Sequence, residues 1–87
     1  IAYTPCFRRE AGAAGATERG LIRMHQFNKV EMFSFCTPEQ SEAMFTEVVA
    51  RAEGILEGLE LHYRRMLLVT GDMSFASSRT IDVEVWL

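Results

Sequence analysis

At 87 residues the chain has room for at most one small domain, able to bury roughly 60–65% of the surface its unfolded form exposes. A hydrophobic share of 48% beside 24% charged residues is that of a globular protein, and no apolar run approaches the ~20 residues of a membrane-spanning helix. A net charge of −3 argues against a uniformly basic surface for polyanions.

Pro5 limits a regular strand upstream of it, so the first strand is expected at residues 6–10 (Cys-Phe-Arg-Arg-Glu), with Phe7 on one face and Arg8 and Glu10 on the other. Residues 11–20 hold Gly12, Gly15 and Gly20 among small side chains and read as a flexible hairpin loop. The strands flanking it would be antiparallel. The second runs from Gly20 to Glu31 and on through Cys36. Its odd positions Arg23, His25, Phe27, Lys29 and Glu31 share one face, while Met24, Val30 and Met32 offer a core face interrupted by Gln26 and Asn28.

Thr37-Pro38-Glu39-Gln40 is a helix start, with Thr at the N-cap, Pro at the first helical position and Gln closing a capping box. Phe45, Val48, Val49, Ala52, Ile55, Leu56 and Leu59 follow at helical spacing as a core stripe. Glu39, Glu42, Glu47, Glu53 and Glu57 read as a solvated face. Gly54 and Gly58 weaken the last turns, so the helix should end near residue 59. Residues 64–70 form an apolar run of central-strand length; Gly71-Asp72 turns the chain, and residues 79–87 alternate, with Ile81, Val83, Val85 and Leu87 on one face. The outline is α+β, a mainly antiparallel sheet crossed by one long amphipathic helix. The pattern still reads as strand at Leu87, and the chain starts at Ile1 without Met, so we expect an excerpt of a longer protein.

Charge is distributed unevenly. Residues 1–31 carry five basic and three acidic side chains, residues 32–87 four basic and nine acidic. Concentrating Arg8, Arg9, Arg19, Arg23 and Lys29 near one polar strand face favours a phosphate-bearing ligand held at one place. The Gly-rich loop is neither a P-loop nor a dinucleotide fingerprint, and no nucleophile–base spacing stands out. Exposed cross-strand Arg–Glu pairs of small energetic weight would explain the same residues. Cys6 and Cys36 lack metal spacing, and two buried, reduced thiols in a cytosolic protein are expected.

Residues 6–12 (Cys-Phe-Arg-Arg-Glu-Ala-Gly) followed by residues 19–31 (Arg-Gly-Leu-Ile-Arg-Met-His-Gln-Phe-Asn-Lys-Val-Glu) closely resemble the motif 2 region of seryl-tRNA synthetases. Thr70-Gly71-Asp72-Met73 with residues 80–87 (Thr-Ile-Asp-Val-Glu-Val-Trp-Leu) is similar to a later segment of the same family. The resemblance covers essentially the whole chain. It implies that residues 1–87 are part of a class II aminoacyl-tRNA synthetase catalytic domain, comprising the motif 2 hairpin, a helix and the following strands, without motifs 1 and 3.

The implied reaction activates serine with ATP and passes the seryl group to serine tRNA, with selenocysteine tRNA a second candidate substrate. By position, the resemblance makes Arg8 the catalytic arginine at the α-phosphate and serine carboxylate, and Glu10 the acceptor from the adenine amino group. Phe27 becomes the ring stacked on adenine, Arg23 a phosphate contact, and Met24 a backbone contributor to the ATP pocket. Arg9 belongs to the ATP-binding run, although strand alternation turns its side chain away. Glu31 receives the serine ammonium, with Lys29 near the amino-acid end. Phe27 and Glu31, four residues apart, would lie about 13 Å apart on a strand, a span fitting an adenylate. ATP is a substrate and Mg²⁺ should accompany it, with no metal ligand expected in this segment.

The resemblance further implies a homodimeric, cytoplasmic parent with no membrane association, and an isolated segment without activity. A non-catalytic synthetase-like paralogue that binds tRNA or serves structurally, and a ligase acting on a carrier protein, are the competing readings. Arg9, Ala16, Ser74, Arg79 and Ile81 depart from the family pattern. Glu60 stands where Gly is common, and His62, which reads as a surface residue, where Pro is common.

Overall fold

In a computed structural model, residues 1–9 and 24–86 are described. Two units are distinguished, residues 1–33 and 34–87.

The first unit is an antiparallel pair, β1 (Ala2–Phe7) and β2 (Gln26–Glu31). Its register sets Ala2 opposite Glu31, Thr4 opposite Lys29, and Cys6 opposite Phe27. β1 therefore starts earlier than expected and ends before Arg8. Pro5 does not stop it, for a reason the ladder supplies. The Arg8 N–H donates to the His25 carbonyl at 2.8 Å, which makes 8/25 a hydrogen-bonded pair. Alternation then puts Pro5 and Asn28 at a non-hydrogen-bonded pair, where a missing N–H costs no ladder bond. β2 is likewise shorter than expected, and residues 32–37 are not strand. The expected core face is open: Tyr3, Phe7, Met24 and Val30 are exposed, and only Met32 of that row is half-buried. The expected loop at residues 11–20, and Glu10 and Arg23 with it, lies outside the described residues.

The second unit begins with one 3₁₀ turn, Pro38–Gln40, that leads into α1 (Ser41–Gly58). The Thr37 N–H donates to Gln40 Oε1 at 3.2 Å, the reciprocal half of a capping box, and Pro38 takes a position where no N–H is needed. At the other end the Glu60 N–H donates to the Glu57 carbonyl and the Leu61 N–H to the Leu56 carbonyl, both at 3.0 Å. This is a Schellman closure, and Glu60 occupies its left-handed position with φ of 57°. The half-buried side chains of α1 are Met44, Phe45, Val48, Val49, Ala52, Glu53 and Leu56. Ile55 and Leu59, expected in the core stripe, are exposed.

β3 (Tyr63–Leu67) pairs antiparallel with β4 (Ile81–Val85), and a 3₁₀ turn at Thr70–Asp72 stands where the sequence predicts a turn. β3 is shorter than the apolar run and is not central, since among the described residues it pairs only with β4. Leu67 and Val69 are exposed. β4 stops before Trp86, also exposed, and Leu87 lies outside the described residues. The single sheet expected from sequence is thus two two-stranded ladders.

The glutamates of α1 are not simply solvated. Arg65 donates from Nε and Nη2 to the two carboxylate oxygens of Glu53 at 2.8 and 2.6 Å. Tyr63 Oη donates to Glu57 at 2.7 Å, and Arg79 Nη2 donates to Glu42 at 2.9 Å while lying 4.3 Å from the Phe45 ring centre. Helix and ladder are joined by these contacts as well as by Ile81, Val83 and Val85, half-buried on β4. No side chain among the described residues is fully buried. No described helix is long and apolar enough to cross a membrane.

Candidate functional site

The β1–β2 pair brings the chemistry-bearing side chains together by register and alternation. Residues directly opposite in an antiparallel pair share a face, so Ala2, Thr4 and Cys6 line one row and Glu31, Lys29 and Phe27 the other. Arg8 continues the first row beyond the end of β1. Its guanidinium carbon lies 4.5 Å from the centre of the Phe27 ring, a cation–π contact. At the opposite end of the face Lys29 Nζ meets Glu31 Oε2 at 2.8 Å, with both side chains about half exposed.

These two contacts divide the face by chemistry. One end offers a planar aromatic surface beside a planar cation with several directed donors, which suits a ring and an oxyanion. The other end offers a carboxylate, which suits an ammonium. Lys29 lies between them. The hydrogen bond and charge of Glu31 hold its ammonium above the ordinary lysine range, against small opposing effects of desolvation and the Arg8 charge. Lys29 is therefore fully cationic at neutral pH.

Of the residues singled out from sequence, Arg8, Phe27, Lys29 and Glu31 meet on this face. Arg9 is exposed, just past β1. Met24 is exposed and precedes β2, so its expected contribution through backbone rests on position alone. His25 supplies a backbone carbonyl to Arg8. Glu10 and Arg23 lie outside the described residues. The sequence reading missed Thr4 and Cys6 as neighbours of Lys29 and Phe27. Alternation from Ala2 would have found them had Pro5 not been read as a stop. Both cysteines are free; Cys6 is half-buried and Cys36 exposed, which corrects the expectation of two buried thiols.

In the second unit a groove of about 300 Å³ is lined by His62, Tyr63, Arg64, Glu84, Val85 and Trp86. It contains none of the candidate residues, and Arg64 is paired with Glu84 at 2.6 Å across it. His62 is exposed, as expected. Among the described residues no three His, Cys, Asp or Glu side chains converge to hold a metal ion. No metal role is assigned to the described side chains.

Residues 1–87 match a family profile described as the tRNA synthetase class II core domain (G, H, P, S and T). The chain is 66% identical over 86 residues to the serine–tRNA ligase of Chlamydia caviae, an alignment covering 99% of this chain and 20% of that protein. It is 62% identical to the serine–tRNA ligase of Chlamydia trachomatis serovar D and 60% identical to that of Synechococcus sp. strain RCC307, with the same coverage. The chain spans about a fifth of the length of the curated relatives it matches. A profile match along its entire length means that this chain belongs to the class II tRNA synthetase core-domain family.

Proposed function

We propose that the full-length protein carrying this segment is a serine–tRNA ligase, and that the β1–β2 hairpin forms part of its adenylate site. The observation that carries the reading is the shared face on which the Arg8–Phe27 contact and the Glu31 carboxylate stand at opposite ends. Serine–tRNA ligase relatives at 60–66% identity support the same activity.

In the proposed reaction a serine carboxylate oxygen attacks the α-phosphorus of ATP and pyrophosphate leaves. A hydroxyl of the terminal tRNA ribose then attacks the seryl carbonyl, and AMP leaves. Catalysis by this segment is positioning and charge stabilisation, with no covalent bond to the protein. Phe27 stacks on adenine and Glu10 accepts from its amino group. Arg8, whose guanidinium lies over the Phe27 ring, holds the α-phosphate and the serine carboxylate. Arg23 adds positive charge toward the phosphates, Arg9 belongs to the same ATP-binding run with its side chain turned away, and Met24 contributes to the ATP pocket through backbone. Glu31 takes the serine ammonium, beside Lys29.

Mg²⁺ would arrive with ATP and neutralise phosphate charge, held by parts of the protein beyond this segment. Residues 1–87 are read as a partial catalytic domain, with motifs 1 and 3 elsewhere in the parent, and α1 as its long amphipathic helix. Serine tRNA is the acceptor and selenocysteine tRNA a second one, in a cytoplasmic homodimer. The test is ATP–pyrophosphate exchange by the full-length protein. Exchange dependent on serine and absent with alanine or threonine is expected; exchange no greater with serine than without amino acid refutes the reading.

A further inference from the structure

Glu31, the group read as the receptor for the substrate ammonium, is already occupied by an ammonium of the protein. Lys29 Nζ lies 2.8 Å from Glu31 Oε2. The two residues are next neighbours on one strand face, opposite Thr4 and Ala2, which are both exposed. Both charged side chains are about half exposed, so neither is locked by packing. A second ammonium arriving at Glu31 competes with Nζ for the same carboxylate. The flexible four-carbon stem of lysine lets the displaced charge move, which a shorter side chain could not do.

The place to which it moves is set by the strand. Lys29 stands two residues from Phe27 and two from Glu31, midway between the aromatic end and the carboxylate end. An adenylate lying along the face has its phosphate at that midpoint. Released from Glu31, the ammonium becomes a second positive charge near the α-phosphate, on the same strand face as Arg8.

We propose that Lys29 is a latch that couples the two substrates: the serine ammonium displaces it from Glu31, and the freed cation then strengthens ATP binding. The proposal rests on the adenylate-site reading above. It requires positive, reciprocal cooperativity between an amine at Glu31 and a triphosphate, because each ligand favours the state in which the lysine has left the carboxylate. The Lys29–Glu31 pair is solvent-exposed, so the coupling is modest, about two- to fivefold in dissociation constant, and it shrinks as salt screens the charges.

The experiment measures ATP binding to the full-length protein calorimetrically, with and without serinamide, which carries the ammonium but has no carboxylate to adenylate. In the wild type, saturating serinamide should lower the ATP dissociation constant about two- to fivefold. Lys29→Arg, which keeps a mobile cation, should retain the coupling. Lys29→Met should abolish it while binding serinamide alone more tightly than the wild type, since the internal competitor is gone. Coupling that persists in Lys29→Met, or that is missing from the wild type or from Lys29→Arg, overturns the latch. A Lys29→Met protein that binds neither ligand also overturns it, because a latch is dispensable for binding either one. Failure of the wild type to bind ATP and serinamide at all refutes the underlying site assignment instead.

Discussion

Arg8, Phe27 and Glu31 are each asked to do something a near neighbour in chemistry cannot. Arg8 stacks on a ring and offers several donors in a plane, so Arg8→Lys keeps the charge and loses both properties. In the full-length protein that substitution should lower kcat for pyrophosphate exchange by at least about tenfold, one charged hydrogen bond being worth ~1.5–3 kcal/mol. Glu31→Gln removes the charge proposed to receive the serine ammonium, and the expected result is a serine KM raised about 10- to 100-fold, with the ATP KM unchanged or lowered by no more than about fivefold because the substitution also releases Lys29. Steady-state kinetics with each substrate varied in turn separate the two. Equal effects of Glu31→Gln on both substrates would remove Glu31 from the amino-acid end. Strand alternation on β2 is enough to put Phe27, Lys29 and Glu31 on one face. It could not show that Arg8 folds over Phe27 or that Lys29 closes on Glu31, because side-chain pairings are chosen by rotamers and local charge rather than by period. Thr4 and Cys6 escaped for a different reason. Whether a proline ends a strand depends on which kind of pair it occupies, and that is a property of the register.

Helix α1 is tied to its ladder by glutamates, which gives that element an acid-sensitive seam. The Glu53 carboxylate is held below the ordinary carboxylate range by the two hydrogen bonds from Arg65, with burial acting weakly against them. A group depressed in the folded state stabilises above its unfolded pKa and loses that contribution as pH falls through the folded value. Replacing Glu53 by Gln in the full-length protein should therefore flatten the acid side of the stability–pH profile, read as the midpoint of urea unfolding between pH 3 and pH 7, and leave the alkaline side unchanged. Tyr63 behaves in the opposite sense: donation to Glu57 raises its pKa to about 12, so that bond persists through neutral pH and fails only in strong alkali. The closing turn of α1 carries a second prediction. Glu60 holds φ of 57°, where a side chain costs energy and glycine does not. Glu60→Gly should stabilise this closure by about 1 kcal/mol, seen as roughly fivefold slower amide exchange at Leu61. The helix itself was legible from its Thr-Pro start and apolar spacing. Glu39, Glu42, Glu47 and Glu57 are exposed as the solvated-face reading expects, and Glu53 is the half-buried exception; hydropathy does not report that β3 brings Arg65 and Tyr63 within reach of Glu53 and Glu57.

At the scale of the chain, the described elements do not make a sealed core. No described side chain is fully buried, and Ile1, Phe75 and Trp86 are 86%, 108% and 80% exposed. Scattered exposed apolar residues are ordinary, but others should then be hidden completely, and among the described residues none is. Each ladder has two strands and free edges among the described residues, a form marginal in water without further strands or a covering layer. The apolar pattern of β3 reads as a central strand because it suits a neighbour on either side; among the described residues it has one, β4. The sequence thus carries patterning for a larger sheet than the described residues complete, in a chain that spans about a fifth of the length of its relatives. Without enough apolar burial to offset the conformational entropy of ordering the backbone, residues 1–87 alone should lack a cooperative unfolding transition. They should bind a hydrophobic dye such as ANS in dilute buffer and support no pyrophosphate exchange with serine. The full-length protein under the same conditions should melt sharply and leave the dye unbound. A sharp transition with native-like near-UV dichroism from the isolated segment would mean that the exposed aromatic and aliphatic groups pack against one another, and that this segment can fold without the rest of the sheet.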